Sequence, residues 1–184
     1  MRGLAINSRE NIFGSIPIAS WNQKQWLIES ECTPYLQPDF LNYEPEEWEI
    51  FLKERHFETP ESSGSLIIKP NFFQDLAQLV IPSDFLYLLG KNCENPTQVD
   101  PKLLEKSKCN KDRTSPESFE LISDLNAIFI IFSGSWWEIY NLQKEEEANI
   151  LSSHESSKIV TVESNRWEKW RDSNYRANIA PFDL

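Results

Sequence analysis

Histidine, cysteine and glycine are all scarce in this chain of 184 residues, which contains two, three and five of them. With so few glycines, neither a phosphate-binding loop nor a dinucleotide-binding fingerprint occurs. Zinc sites need cysteine or histidine ligands paired at short spacing, and His56 and His154 lie far from each other and from Cys93 and Cys109. We therefore expect no metal site and no cofactor.

The number of cysteines and the length of the apolar runs indicate the cellular compartment of the protein. Cys32, Cys93 and Cys109 are odd in number and widely spaced, which is typical of reduced thiols rather than of a disulfide framework. No apolar run approaches the roughly 20 residues that cross a bilayer, and residues 1–14 carry charges where a signal peptide would be apolar. The sequence predicts a cytoplasmic protein that does not enter a membrane.

Catalytic motifs are also missing. The Gly-x-Ser-x-Gly turn of serine hydrolases does not occur, and His154 lies among serines in a predicted loop over 152–157. His56 ends a predicted acidic helix, where an imidazolium favours the negative end of the helix dipole. We expect a non-catalytic protein. Two alternatives stay open: an enzyme or small-ligand-binding protein whose site is built from dispersed acidic and aromatic residues, and a structural subunit of a larger complex.

Acidic residues, by contrast, are abundant and unevenly distributed. The net charge is −11, which argues against a nucleic-acid partner because such partners are held by many lysine and arginine contacts. Residues 29–61 contain ten acids and two bases, a net charge of −8 in one segment. Charge runs usually form a solvated surface. The functional interpretation is an acidic face that binds a protein with a basic surface.

One predicted helix concentrates this charge. Pro45 suits the first position of a helix over 45–57, and Trp48, Phe51 and Leu52 form its apolar face. The remaining faces carry acids that are left free for a partner. The predicted protein-binding residues of this helix are Glu46, Glu47 and Glu54.

The most apolar stretch, 126–142, predicts a central hairpin. Residues 127–132 form an uninterrupted apolar run, Ser-Gly-Ser supplies a turn, and 136–142 form the second strand. Adjacent strand residues face opposite sides of a sheet, so Trp136 and Trp137 cannot both be covered unless both faces are. The exposed indole, with Glu138 and Tyr140 beside it, is a second predicted protein-binding site.

Spacing of apolar residues assigns the rest of the chain. The predicted class is α+β, a small central antiparallel sheet flanked by helices, in a single domain over 1–184 or with an N-terminal lobe 1–60 packed on a core domain 65–184. Besides the hairpin and the acidic helix, we predict helices over 21–31, 72–80, 83–89, 101–108, 116–125, 144–151 and 165–170, and strands over 12–18, 65–69 and 158–163.

One segment carries a family resemblance. Residues 79–89, LVIPSDFLYLL, resemble a signature of the SMI1/KNR4 (SUKH) superfamily, and 137–142 and 159–170 are similar to the strands and helix that follow it there. The resemblance spans roughly residues 71–170 and departs from the family where Gly90 is followed by Lys91 instead of a second glycine. It implies an α+β immunity protein that neutralises a toxin. Together these features predict an acidic protein-binding module, such as an immunity or inhibitor protein, that occludes a basic partner.

Overall fold

A single antiparallel sheet organises the part of the chain that the computed structural model describes, residues 1–16, 18–28, 44–55, 57–59, 65–79, 85–92, 98–103, 116–133 and 136–162. Its eight strands lie in the order β3-β4-β2-β5-β6-β7-β1-β8, and each paired neighbour is antiparallel. The strands are β1 (Arg2–Asn7), β2 (Lys24–Ile28), β3 (Phe57–Glu58), β4 (Leu66–Ile68), β5 (Phe85–Asn92), β6 (Ile128–Ser133), β7 (Trp136–Tyr140) and β8 (Ser157–Thr161).

Helices pack on both faces of this sheet, and the α+β class is therefore confirmed. They are a 3₁₀ helix (Ile12–Ser15), α1 (Ile18–Trp21), α2 (Pro45–Glu54), α3 (Phe73–Leu79), α4 (Pro116–Asp124) and α5 (Lys144–Ser153). In the described part of the chain, none of the helices combines the length and the apolar character needed to cross a bilayer.

The predicted hairpin is present as β6 and β7. Ile130 pairs with Ile139 and Phe132 with Trp137, which places the densest apolar run of the sequence inside the sheet. The helices predicted over 45–57, 72–80, 116–125 and 144–151 are confirmed as α2, α3, α4 and α5. The strands predicted over 65–69 and 158–163 are confirmed as β4 and β8.

Three predicted elements are wrong. The helix predicted over 21–31 gives way to β2, since Trp26 and Ile28 pack on one side of the sheet and Leu27 on the other. Over its described part, 85–89, the helix predicted over 83–89 is instead the start of β5. The strand predicted over 12–18 is instead a 3₁₀ helix, whose first turn is capped by the Asn11 side chain accepting a hydrogen bond from the Phe13 N–H at 2.9 Å.

The N-terminal residues are part of the main sheet. β1, an element that the apolar spacing does not predict, lies between β7 and β8, and β2 lies between β4 and β5. The strands β1 and β2 therefore share one sheet with strands from the C-terminal half. Some predictions concern residues that lie outside the described part of the chain. These are the three cysteines, most of the helix predicted over 101–108, the predicted helix over 165–170 with Trp167 and Trp170, and the acidic run 29–43.

We call the two sides of the sheet the first face and the second face. The first face is covered by the 3₁₀ helix, α1, α2, α3 and α5, and the second by α4 and the segment 98–103. Buried residues on the strands of the first face include Leu4, Ile6, Trp26, Ile28, Ile68, Leu88, Ile130, Phe132, Trp137 and Ile139. Those of the second face include Ala5, Leu27, Ile67, Leu89, Phe129, Ile131, Tyr140 and Val160.

Candidate protein-binding surfaces

Helix α2 is fixed to the sheet by its apolar side. Phe51 and Leu52 are buried in the core of the first face, and the Phe51 ring meets the Phe57 ring of β3 edge-on with centroids 6.5 Å apart. The Arg55 guanidinium lies over the Phe51 ring, 4.1 Å from its centroid. This packing orients the helix so that its remaining sides face solvent.

The exposed side of α2 combines an apolar centre with acidic neighbours. Ile50 is 57 % exposed. Glu46 and Glu47 lie four and three positions before it and Glu54 four positions after it, so all three are its neighbours on the helix surface. All three glutamates are exposed. We call Glu46, Glu47, Ile50 and Glu54 the α2 acidic surface.

Two of these acids have partners within the chain. The Glu47 carboxylate accepts a hydrogen bond from the Glu44 N–H at 3.0 Å, which is the arrangement of a capping box. Glu54 lies 3.8 Å from the Arg55 guanidinium in an exposed ion pair, a kind of contact that contributes little to stability. The expectation that all three are free is therefore corrected for Glu47, because its side chain helps to begin the helix. Glu46 and Glu54 remain available to a partner.

The structure of the hairpin shows which of the two indoles, Trp136 or Trp137, is exposed. Trp136 is 39 % exposed on the second face, whereas Trp137 is fully buried on the first. The Trp137 ring packs 4.6 Å from Phe132 and 5.3 Å from Phe13, and its Nε1–H donates to the Glu10 carbonyl at 3.1 Å. Trp137 is therefore a core residue, and its prediction as a binding residue is corrected.

Tyr140 is also a core residue. It is fully buried, its ring meets Phe119 of α4 edge-on at 5.3 Å, and its hydroxyl donates to the Glu138 carboxylate at 2.6 Å. The aromatic side chain that was predicted to touch a partner instead anchors Glu138, which is half-buried. Of the four hairpin residues predicted at the site, Trp136 and Glu138 are accessible.

Lys158 of β8 extends the surface around Trp136. Its ammonium group lies 5.1 Å from the centroid of the Trp136 ring, within the range of a cation–π contact. Glu138 and Lys158 both pair with Ala5, so the two side chains lie on the second face on either side of a small residue. We call Trp136, Glu138 and Lys158 the Trp136 surface.

The α2 acidic surface and the Trp136 surface are separate. α2 packs on the first face beside β3, at one edge of the sheet, whereas Trp136 lies on the second face in β7, five strands away. Neighbouring strands are about 4.8 Å apart, so the two surfaces are separated by roughly 24 Å and by the sheet itself. A single small ligand cannot contact both.

A buried polar cluster between α1 and α5 was not predicted from the sequence. One oxygen of the Glu146 carboxylate accepts from Ser20 Oγ at 2.8 Å and Trp21 Nε1 at 2.9 Å, and the other from the Gln143 N–H at 2.9 Å. The capping pattern of Gln143 and Glu146 is visible in the sequence, but the long-range partners are not. Both oxygens of the Glu146 carboxylate accept hydrogen bonds from within the chain. The cluster therefore connects α1 to α5, and we do not treat it as a binding site.

Lys24 lies near the same cluster. Its ammonium donates to Asn92 Oδ1 at 2.8 Å, and burial lowers the pKa of Lys24 while the nearby Glu146 charge opposes that shift.

The backbone N–H of His154 donates to the Ile150 carbonyl where α5 ends. Among the residues that the structure describes, no three His, Cys, Asp or Glu side chains converge in a way that could hold a metal ion.

Comparisons of the chain with protein-family models, with curated proteins and with solved structures found no match. The interpretation of both surfaces therefore depends on their own geometry and charge.

Proposed function

We propose that this protein is a non-catalytic protein-binding module that binds a basic protein through the α2 acidic surface. The observation that carries the proposal is the exposed Ile50 side chain with three glutamates on the adjacent turns of the same helix. An exposed isoleucine costs free energy in water, and a partner that covers it recovers part of that cost.

The arrangement matches the general anatomy of protein interfaces. Such interfaces place apolar side chains at the centre of the contact and charged side chains at its rim. Burial of Ile50 would slow dissociation, while the glutamates would accelerate the approach of a positively charged partner. The net charge of −11 acts in the same direction over longer distances.

The proposed biological role is inhibition by occlusion in the cytoplasm. The resemblance to the SMI1/KNR4 (SUKH) superfamily implies an immunity protein, and an acidic surface suits a toxin that uses basic residues to hold its own substrate. Within the resembling segment 79–89, Leu79 ends α3 and residues 85–89 are strand in this protein. The role as an immunity or inhibitor protein is therefore proposed from the surface first and from the resemblance second.

The Trp136 surface is a second candidate for the partner contact. Tryptophan is enriched among the residues that dominate binding energy, and Trp136 is the more exposed of the two hairpin indoles. Tyr140 holds the Glu138 carboxylate in place beside it, so this part of the surface is ordered before a partner arrives.

The test starts with an affinity pull-down from the native cell and identification of the captured protein by mass spectrometry. Association rates are then measured over a salt series for wild type and for the triple variant Glu46→Lys, Glu47→Gln, Glu54→Lys. Glutamine at position 47 preserves the capping box. We expect association to be slower by several-fold at low ionic strength and the difference to shrink above about 0.1 M salt.

A second triple variant controls for net charge. Glu120→Lys, Glu145→Lys, Glu155→Gln changes the charge by the same amount at exposed acids away from α2. We expect it to associate nearly as fast as wild type. Equal rates for wild type and the α2 triple variant at every salt concentration would contradict the proposal, and slower association of Trp136→Ala would then identify the Trp136 surface as the contact.

A further inference from the structure

The Trp136 ring already holds a cation from its own chain. β1 lies between β7 and β8, and its small residue Ala5 lets longer side chains of these two strands meet above it on the second face. Trp136 of β7 is 39 % exposed, and Lys158 of β8 is exposed as well. The Lys158 ammonium lies 5.1 Å from the centroid of the Trp136 ring. The exposed indole is therefore placed where it attracts positive charge.

The contact between Lys158 and Trp136 is weak enough to be exchanged. At an exposed site, a cation over an aromatic ring changes an equilibrium by only about two- to fivefold. The lysine side chain is long and flexible and its ammonium group is strongly hydrated, so it leaves the ring for water at little cost. A cation that binds the ring more tightly would take its place.

Glu138 adds a negative charge beside the ring. It lies two residues after Trp136 on the same strand, so both side chains are on the second face. The Tyr140 hydroxyl donates to the Glu138 carboxylate at 2.6 Å, and Tyr140 is fully buried, so the core helps to fix the position of this charge. An aromatic face with a carboxylate beside it attracts a cation and disfavours an anion.

Among cationic side chains, that of arginine fits this surface best. Its guanidinium is planar, stacks on aromatic rings and is less strongly hydrated than the ammonium of lysine. From these observations we infer that the Trp136 surface is a binding site for an arginine side chain of the partner protein, and that Lys158 occupies the site until the partner displaces it. The inference rests on the proposed function only in taking the partner to be basic.

The charge of the chain favours a basic segment over an acidic one. Lys158 by itself would attract a carboxylate, but Glu138 lies on the other side of Ala5 and the net charge of −11 repels an acidic protein. The same net charge raises the local concentration of segments that carry arginine. The Trp136 surface and the α2 acidic surface, although they lie on opposite faces, therefore select partners of the same charge.

Two short peptides test the inference without the partner. They are acetyl-Gly-Arg-Gly-amide and the same peptide with citrulline, whose side chain has nearly the shape of arginine but no charge. Binding to the full-length, isotope-labelled protein is followed by chemical shifts of the Trp136 indole N–H and of the amides of β7 and β8. The salt concentration is about 0.1 M, which screens distant charges. We expect saturable shifts with millimolar arginine peptide and none with the citrulline peptide.

Lys158→Ala gives the most specific result. Removal of the competing ammonium should raise the affinity for the arginine peptide by about two- to fivefold, whereas loss of a residue that only supports the fold would not raise it. Trp136→Leu keeps an apolar side chain but removes the aromatic face, so the affinity should fall by a similar factor. Both substitutions are at exposed positions, and the melting temperature of each variant confirms that the sheet is present.

The matched control is the α2 triple variant described above, which changes acids on the opposite face and should bind the arginine peptide nearly as well as wild type. Four results would overturn the inference: no saturable shifts, equal shifts with the citrulline peptide, unchanged or weaker binding by Lys158→Ala, or tighter binding of acetyl-Gly-Glu-Gly-amide. The last result would assign the surface to an acidic segment held by Lys158. The proposed function is tested separately, because it depends on association rates of the α2 variant and not on these peptides.

Discussion

The two faces of the sheet are built in different ways. On the first face, rings from five elements meet directly: Trp26 lies 5.2 Å from Trp21 and 4.5 Å from Phe73, and Phe13 lies 5.5 Å from Phe73 and 5.3 Å from Trp137. Hydrogen bonds from the buried indoles end on main-chain carbonyls or on Glu146. This face is closed by aromatic packing.

The second face is held together by polar contacts as well as by packing. The Gln25 amide, which is fully buried, donates to the Gln98 carbonyl at 2.5 Å and accepts from the Asp100 N–H at 2.9 Å. Lys91 forms an ion pair with Asp100. These contacts fix the segment 98–103 over the sheet and place Leu103 in the core. We therefore expect the first face to contribute more of the stability, and the second face to depend in part on charge.

The largest expected effect is that of Trp26→Ala on the first face. Trp26 packs against two aromatic rings and its Nε1–H donates to the Trp21 carbonyl at 3.0 Å, so we expect the free energy of unfolding to fall by about 4 to 5 kcal/mol. Leu103→Ala on the second face should cost about 2 kcal/mol, because loss of a leucine side chain leaves a smaller cavity than loss of an indole. Urea melts measure both, and equal losses would remove the contrast between the faces.

The next largest loss of stability is expected for a substitution of Gly90 in β5. A Cβ atom there would lie 2.5 to 2.7 Å from three ring atoms of Trp26, which is too close for any carbon contact. Because that ring is rigid and buried, Gly90→Ala should destabilise the protein by about 1 to 3 kcal/mol. Gly14→Ala is the matched control, since a methyl group added at Gly14 would meet nothing within 4 Å.

A double variant attributes this cost to the ring. When Trp26 is already replaced by leucine, Gly90→Ala should cost clearly less than it does in the wild type, because the atoms that obstruct the methyl group are gone. The comparison needs four denaturant melts. Additive losses would mean that Gly90 is required by the backbone and not by Trp26.

The elements that could be predicted from the sequence are those with a clear local pattern. β6 is an unbroken apolar run followed by a turn, and α2 begins with Pro45 and repeats its apolar residues at helical spacing. The Glu47 contact with the Glu44 N–H is likewise set by local spacing, since the two residues are three positions apart. Among the candidate site residues, exposure of Glu46 and Glu54 agreed with the helical pattern of α2.

The elements that were missed are strands whose environment is set by distant residues. β5 is covered on both faces, so its sequence FLYLLG has no alternation and cannot be told from a buried helix by period. β2 contains two polar residues, Lys24 and Gln25, that are buried because Asn92 and Gln98 bind them. Strand alternation alone also could not show which of Trp136 and Trp137 is exposed, since the helices that cover Trp137 are distant in sequence.

The smallest expected effect is the pH dependence contributed by Asp100. Burial by itself raises the pKa of the Asp100 carboxyl, but hydrogen bonds from Lys91 and from the N–H groups of Lys102 and Leu103, together with the Lys91 charge, outweigh it and lower the pKa below the ordinary value of an aspartate. A carboxyl whose pKa is lower in the folded state stabilises the fold fully above its unfolded pKa, and this contribution disappears as pH falls through the folded value.

Asp100→Asn should therefore cost about 1 to 2 kcal/mol near pH 7, and this cost should decline as pH falls through the folded-state pKa of Asp100, below which the carboxyl is protonated in both states. Urea melts of the wild type and the variant across this range give the difference at each pH. Lys91→Met serves as a partner control, since it should remove much of the same pH dependence while leaving the backbone hydrogen bonds in place. A loss that is constant with pH would show that the Asp100 side chain acts through its shape and not its charge, and the second face would then be as insensitive to charge as the first.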